Sequence, residues 1–174
     1  MKSTTITFLS ALFFSLMALS SAMAAETVGM IERLKGPASR ADTGGESQLT
    51  AGSKIMDGDI LRTGNGARMI VRFDDNSWLT MGENAEMIVD GLIYTPAGSQ
   101  PESGSQSLKF VEGVFRFVSG KIGKAISANV ALNTPVATIV IRSTEVIFGE
   151  LTVGMPVGTP HYGFQIYEGA VDIT

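Results

Sequence analysis

Acidic side chains at short spacing are the first candidates for chemistry in this chain of 174 residues. Asp74-Asp75-Asn76 offers three oxygen donors in a row, the ligand type that calcium takes. Three consecutive side chains cannot wrap one ion without the alternation of a D-x-D-x-D pattern. The run Asp74-Asp75-Asn76-Ser77 is better read as a hairpin turn, where Asp, Asn and Ser bond their own backbone. Asp57-Gly58-Asp59 also reads as a turn, with Asp59 an acid that folding could bury against a cation. His161 is the sole histidine and there is no cysteine. Disulfides, thiol nucleophiles, thiolate metal sites and His clusters are therefore excluded, and His161, among Gly and Pro, is expected in an exposed loop. Phosphate-binding patterns fail: Gly120-Lys121 has Phe115 and Ile122 where a P-loop needs Gly and Ser or Thr, and Gly64-Asn65-Gly66 has Met69 in place of a third Gly. No G-x-S-x-G elbow occurs, and no pair of carboxylates is marked out for glycosidase-type acid–base work. The expectation is a protein that is not an enzyme and uses no metal or cofactor.

Arg142 is the charged residue that asks most of its surroundings. It closes the apolar run 136–141, which reads as a strand buried on both faces. A guanidinium there must be paired or bonded to carbonyls, because an unpaired buried charge costs several kcal/mol. The structural reading is a clamp between strands through Asp59 or Glu145, and the functional reading is an anion or partner contact.

The elements that would position these residues are short strands. The glycines, 20 in all, fall between Gly29 and Gly169, as tight turns require. Ala67, Met69, Val71 and Phe73 alternate with Arg68, Ile70 and Arg72; Ser77, Leu79 and Met81 begin a return strand, and residues 86–89 follow the next turn. Residues 114–118, 136–141, 164–167 and 170–173 carry the same period of two. At most one helical turn fits, within 123–129. This predicts an all-β single domain of short antiparallel strands, a sandwich or a β-roll, over residues 25–174. A flexible loop is expected at 95–107, rich in Gly, Pro and Ser, and an irregular excursion at 149–160.

Residues 1–24 differ in kind. Lys2 precedes an apolar run of about 14 residues that ends in Ala22-Met23-Ala24, the three regions of a secretory signal peptide with cleavage between Ala24 and Ala25. The apolar run is shorter than the ~20 residues of a spanning helix. The expectation is a periplasmic or secreted protein with no stable membrane anchor after cleavage. The remaining chain holds 12 Lys and Arg against 17 Asp and Glu, and this acidic balance argues against nucleic acid as a partner.

The order of these landmarks resembles the FecR domain, the periplasmic module of ferric-citrate-type transport regulators. Residues 29–36 are similar to its opening strand, and residues 49–64 to its L-x-x-G…GD…T-G segment, with Gly58, Asp59 and Thr63. Residues 67–81 are similar to its strand, Asp-rich turn and strand. Residues 134–145 are similar to the T-P-x-A-T…R-G-T signature, with Thr134, Pro135, Ala137, Thr138, Arg142 and Thr144; residues 167–173 are similar to its closing strand. Val140 and Ser143 replace two signature glycines, and Val146 stands where an aromatic is usual. The resemblance implies a non-enzymatic exported module that binds or senses signals in the periplasm by protein–protein contact with an envelope protein, through strand edges or loops. A leader that runs straight into the domain implies no direct sigma-factor contact. Pairing of the two matched charges, Asp59 with Arg142, is expected. The alternative is an envelope glycan-binding or structural module with Trp78 and Tyr94 as its aromatics, and a buried Trp78 would rule out the glycan platform.

Overall fold

A computed structural model describes residues 26–42, 44–96, 98, 103–124, 129–151 and 161–174. The expected signal peptide over 1–24, with its Ala24–Ala25 cleavage site, lies outside the described residues, as does most of the excursion at 149–160. Thirteen strands follow in order: β1 (Thr27–Lys35), β2 (Ala38–Asp42), β3 (Gly45–Gln48), β4 (Lys54–Met56), β5 (Ile60–Thr63), β6 (Arg68–Phe73), β7 (Trp78–Met81), β8 (Glu86–Thr95), β9 (Ser103–Glu112), β10 (Val114–Val118), β11 (Asn129–Asn133), β12 (Thr138–Glu150) and β13 (Tyr162–Ile173). One helical turn, α1 (Lys121–Lys124), separates β10 from β11. Among the described residues no helix is long and apolar enough to cross a membrane.

The strands form one sheet in the order β3-β2-β5-β8-β9-β11-β12-β10-β7-β6-β1-β4, with β13 on the other edge of β12. Pairing is antiparallel throughout this path except between β9 and β11, which run parallel. The pattern that predicts strands also decides their faces. In β6, Met69, Val71 and Phe73 are buried while Arg68, Ile70 and Arg72 lie outward, and β7 buries Leu79 and Met81. The intervening Asp74–Ser77 segment is the expected turn, closed by Asn76 N–H to the Phe73 carbonyl at 2.9 Å, with Asn76 at φ 62°.

β12 joins the two arms of the sheet. Residues 138–141 pair with β11 and residues 145–149 pair with β10, while β13 follows nearly its whole opposite edge. A bulge at residues 142–145 separates the two halves, and Ser143 sits there at φ 51°. The arms curl until their inner faces share one core. Phe110 of one arm meets Phe115 and Phe148 of the other edge-on, at 4.6 and 4.7 Å between ring centroids.

Three sequence readings are corrected by the fold. The loop expected over 95–107 is shorter, because residues 103–107 belong to β9. Its small polar residues hide a strand period in which Gln106 and Leu108 are buried. The run 136–141 is buried on one face only: Ile139 and Ile141 point inward, Val140 is half-buried, and Val136 lies exposed in a turn before the strand. His161 is half-buried, its carbonyl accepting the Leu151 N–H at 3.0 Å.

Candidate functional site

Most of the signature residues fall into three separate places, the β4–β5 region, the β11–β12 turn and the bulge of β12, and there they hold the sheet. Gly58 sits in the β4–β5 turn with φ 84°, and its N–H reaches the Val89 carbonyl at 2.9 Å. Asp59 beside it is buried; its Oδ2 accepts from the Met56 N–H at 2.9 Å and from Arg40 Nη1 at 3.4 Å. Thr63, also buried, donates to the Gly82 carbonyl at 2.7 Å and accepts from the Ala85 N–H at 3.0 Å, tying β5 to the turn before β8.

Thr134, Pro135 and Ala137 form the tight β11–β12 turn. The Thr134 hydroxyl donates to the Ala137 carbonyl at 2.7 Å and accepts from its N–H at 3.1 Å, with Pro135 presetting the bend. Thr138 donates to Asn133 Oδ1 at 3.0 Å across the same hairpin. Thr144 stands in the bulge of β12, buried, and its hydroxyl donates to the Ala170 carbonyl of β13 at 2.7 Å. Its N–H meets Ser119 Oγ at 2.8 Å.

The expected contact between Asp59 and Arg142 does not form. Arg142 follows the inward Ile141 and, by strand alternation, emerges on the outer face with its side chain 72% exposed, 3.9 Å from Asp172. Asp59 takes Arg40 instead, and Glu145, the other acid in view, binds Arg116 at 2.8 Å. The clamp reading of Arg142 is thereby overturned.

The acid that does organise the interior is Asp75, whose role the turn reading left unseen. It is fully buried: Oδ1 accepts from the Ser77 N–H at 2.9 Å and hydroxyl at 2.6 Å, and Oδ2 accepts from the Ile122 N–H at 3.2 Å. Gln106 Nε2 donates to Ser77 Oγ at 3.3 Å, and the Asp75 carbonyl takes the Lys121 N–H at 2.7 Å. The carboxyl joins the turn to α1, and Ser77 carries the link on to β9. Gly120 is required at its edge, since a Cβ there would strike the Ser77 nitrogen and the Asp75 carbonyl. The faint sequence signal is an Asp followed two residues on by Ser, the Asx-type pattern in which the carboxylate accepts from the backbone N–H of residue i+2. Among the described residues no group of three His, Asp or Glu could hold a metal.

What remains open is surface. On the outer face, Met30 of β1, Arg72 of β6, Trp78 of β7 and Val118 of β10 lie side by side across adjacent strands. Trp78 is 37% exposed, and Arg72 Nε holds Glu32 at 3.1 Å. A neighbouring groove of about 360 Å³ is lined by Arg68, Thr80, Glu83, Val114, Arg116 and Ile147. Tyr94 does not share this face; it lies on β8 against the core with the Lys121 ammonium 5.8 Å from its ring centroid. Near the open edge, burial pushes the Tyr162 phenol up to about 12. Its hydroxyl is buried.

Fold and site together define an all-β domain whose buried polar landmarks serve the sheet. The sequence matches the family model described as FecR protein over residues 59–171, and the chain belongs to that family. No curated protein and no solved structure matches it. The matched range begins after β4, yet β1 is integral to the fold: it pairs with β6 and buries Val28 and Ile31.

Proposed function

We propose that this chain is a non-enzymatic FecR-domain module, exported through its N-terminal leader, that works in the periplasm as a signalling component by binding another envelope protein. The observation that carries this reading is the outer-face row centred on Trp78. A half-open indole flanked by Arg72 and Val118, with Met30 beyond Arg72, has the composition of an interface anchor, since Trp and Arg dominate the energetics of protein contacts. Most signature residues support it from below, because Gly58, Asp59, Thr63, Thr134, Ala137, Thr138 and Thr144 are engaged in internal hydrogen bonds, while Arg142 is left on the outer face. Membership of the FecR family supports a signalling role. The acidic balance of the chain disfavours nucleic acid, and export places the domain away from any cytoplasmic sigma factor.

Two measurements test this. Mass spectrometry of the protein from the envelope fraction should find a chain that begins at Ala25; retention of Met1 would overturn the export mechanism. Trp78→Ala should leave the melting temperature nearly unchanged and abolish co-purification of the partner, while retention of the partner would reject this face. The open indole also favours one second reading, a glycan contact. It is the weaker one because Tyr94 lies on a strand that pairs with β9 and not with β7. Binding of purified envelope glycan that is lost in Trp78→Ala would support the glycan reading over the protein one.

A further inference from the structure

The sheet ends in three strands with a free edge among the described residues, and they are not alike. β3 and β4 have 4 and 3 residues, the short edges with which proteins limit unwanted pairing. β13 has 12 residues, no Lys, Arg or Pro, and one neighbour, β12. Its core-side face is apolar wherever it pairs with the inward residues of β12: Phe164 and Ile166 beside Phe148 and Val146, then Val171 and Ile173 beside Ile141 and Ile139, and Tyr162 continues this face opposite the exposed Glu150 at the strand end. Ile166 and Ile173 remain 45% and 52% exposed on that face. This is the pattern of an interior strand whose next neighbour is missing.

The backbone says how that neighbour must run. Thr138 and Thr174 exchange both hydrogen bonds, so Asp172 and Ala170 aim their backbone groups at β12 while Ile173 and Val171 aim theirs outward. At the other end the Leu151 N–H reaches the His161 carbonyl, so Gly163 and Gln165 face β12 while Tyr162, Phe164 and Ile166 face outward. The bulge between these halves, with Gly169 at φ 86°, switches the parity from even to odd. We propose that the missing neighbour is β13 of a second copy, paired antiparallel about a two-fold axis between Tyr167 and Glu168. This register overlaps all twelve residues. It places outward-facing Tyr162 opposite Ile173 of the second copy and Phe164 opposite Val171, apolar against apolar on the core side. On the outer side Asp172 meets Gly163, Gln165 meets Ala170, and Glu168 meets Tyr167. The only charges of the strand, Glu168 and Asp172, are thus kept from opposing each other, as a self-complementary two-fold interface requires.

The test uses the absence of cysteine in the chain. Gln165 and Ala170 are exposed and become directly opposite, non-hydrogen-bonded neighbours in this register, the closer kind of pair. The double variant Gln165→Cys/Ala170→Cys should convert to a covalent dimer under mild oxidation, whereas Gln165→Cys alone should not, its partner cysteine lying five residues along the strand. Sedimentation should show the unaltered chain as a dimer and Ile166→Lys/Ile173→Lys as a folded monomer. A monomeric unaltered chain overturns the proposal. So does a dimer that the cysteine pair fails to link, or one that survives the lysine substitutions.

Discussion

Asp75 and Arg142 invert what their sequence settings suggest, and the reason is which way each side chain points. Asp75 lies in a polar turn, yet it turns inward and satisfies the N–H groups of Ser77 and Ile122. Each buried donor left without an acceptor costs about 1–3 kcal/mol. Asp75→Ala is therefore expected to lose at least about 2 kcal/mol in denaturant unfolding, and a loss below about 0.5 kcal/mol would remove Asp75 from its central place. Arg142 lies at the end of an apolar run, yet strand alternation carries it to the outer face, where exposed ion pairs contribute little. Arg142→Ala should change stability by less than about 0.5 kcal/mol, the range of ordinary surface substitutions. Asp59→Ala should cost about 1–3 kcal/mol, because it leaves the Met56 N–H without its acceptor, while Arg40 keeps the Lys54 carbonyl and Asp42. Equal effects of the two substitutions would contradict this separation. The importance of Asp59, Thr63 and Thr144 could be read from their places in the signature; their partners could not, since pairing depends on which strands the curl brings together.

At the scale of elements, the period of two in β6, β7 and β10 was legible because each has one face on the core, and the turns between them carry their own chemistry. β9 was obscured by Ser, Gly and Gln at positions where burial is set by Ser77 across the interior rather than by apolar character. Ser143 illustrates what the signature can foretell: it stands where a family glycine is usual and adopts the positive φ that glycine favours. The bulge is completed by Gly169, whose added Cβ would collide with the Ser143 carbonyl. Gly169→Ala should lower the melting temperature by several degrees, and an unchanged melt would show the bulge to be adaptable. The attachment of β13 should also depend on pH. The Tyr162 phenol is raised by burial from its ordinary value near 10 to about 12. The unfolded chain ionises first, so the stabilisation is whole below pH 10 and is lost as pH rises through about 12. Tyr162→Phe should flatten the fall of stability across this window; an unaltered alkaline slope would show that the phenol is not sequestered.

For the molecule as a whole, one curled sheet encloses one core, and the arms on either side of β12 depend on each other through the Phe110, Phe115 and Phe148 cluster. The all-β single domain followed from period and turn spacing. The curl did not, because it arises from the bulge in β12 and from the parallel β9–β11 pair, neither of which has a local signature. What this architecture leaves outside is the Trp78 row, and the proposed function stands or falls on whether a partner sits there. The direct measurement is site-specific photo-crosslinking in intact cells, with the crosslinking residue at position 78 and, as a control, at Glu46 on the exposed strand β3, which does not pair with β7. A discrete adduct with an envelope protein from position 78 and none from position 46 is the predicted result. No adduct from position 78, or the same adducts from both positions, would contradict the account.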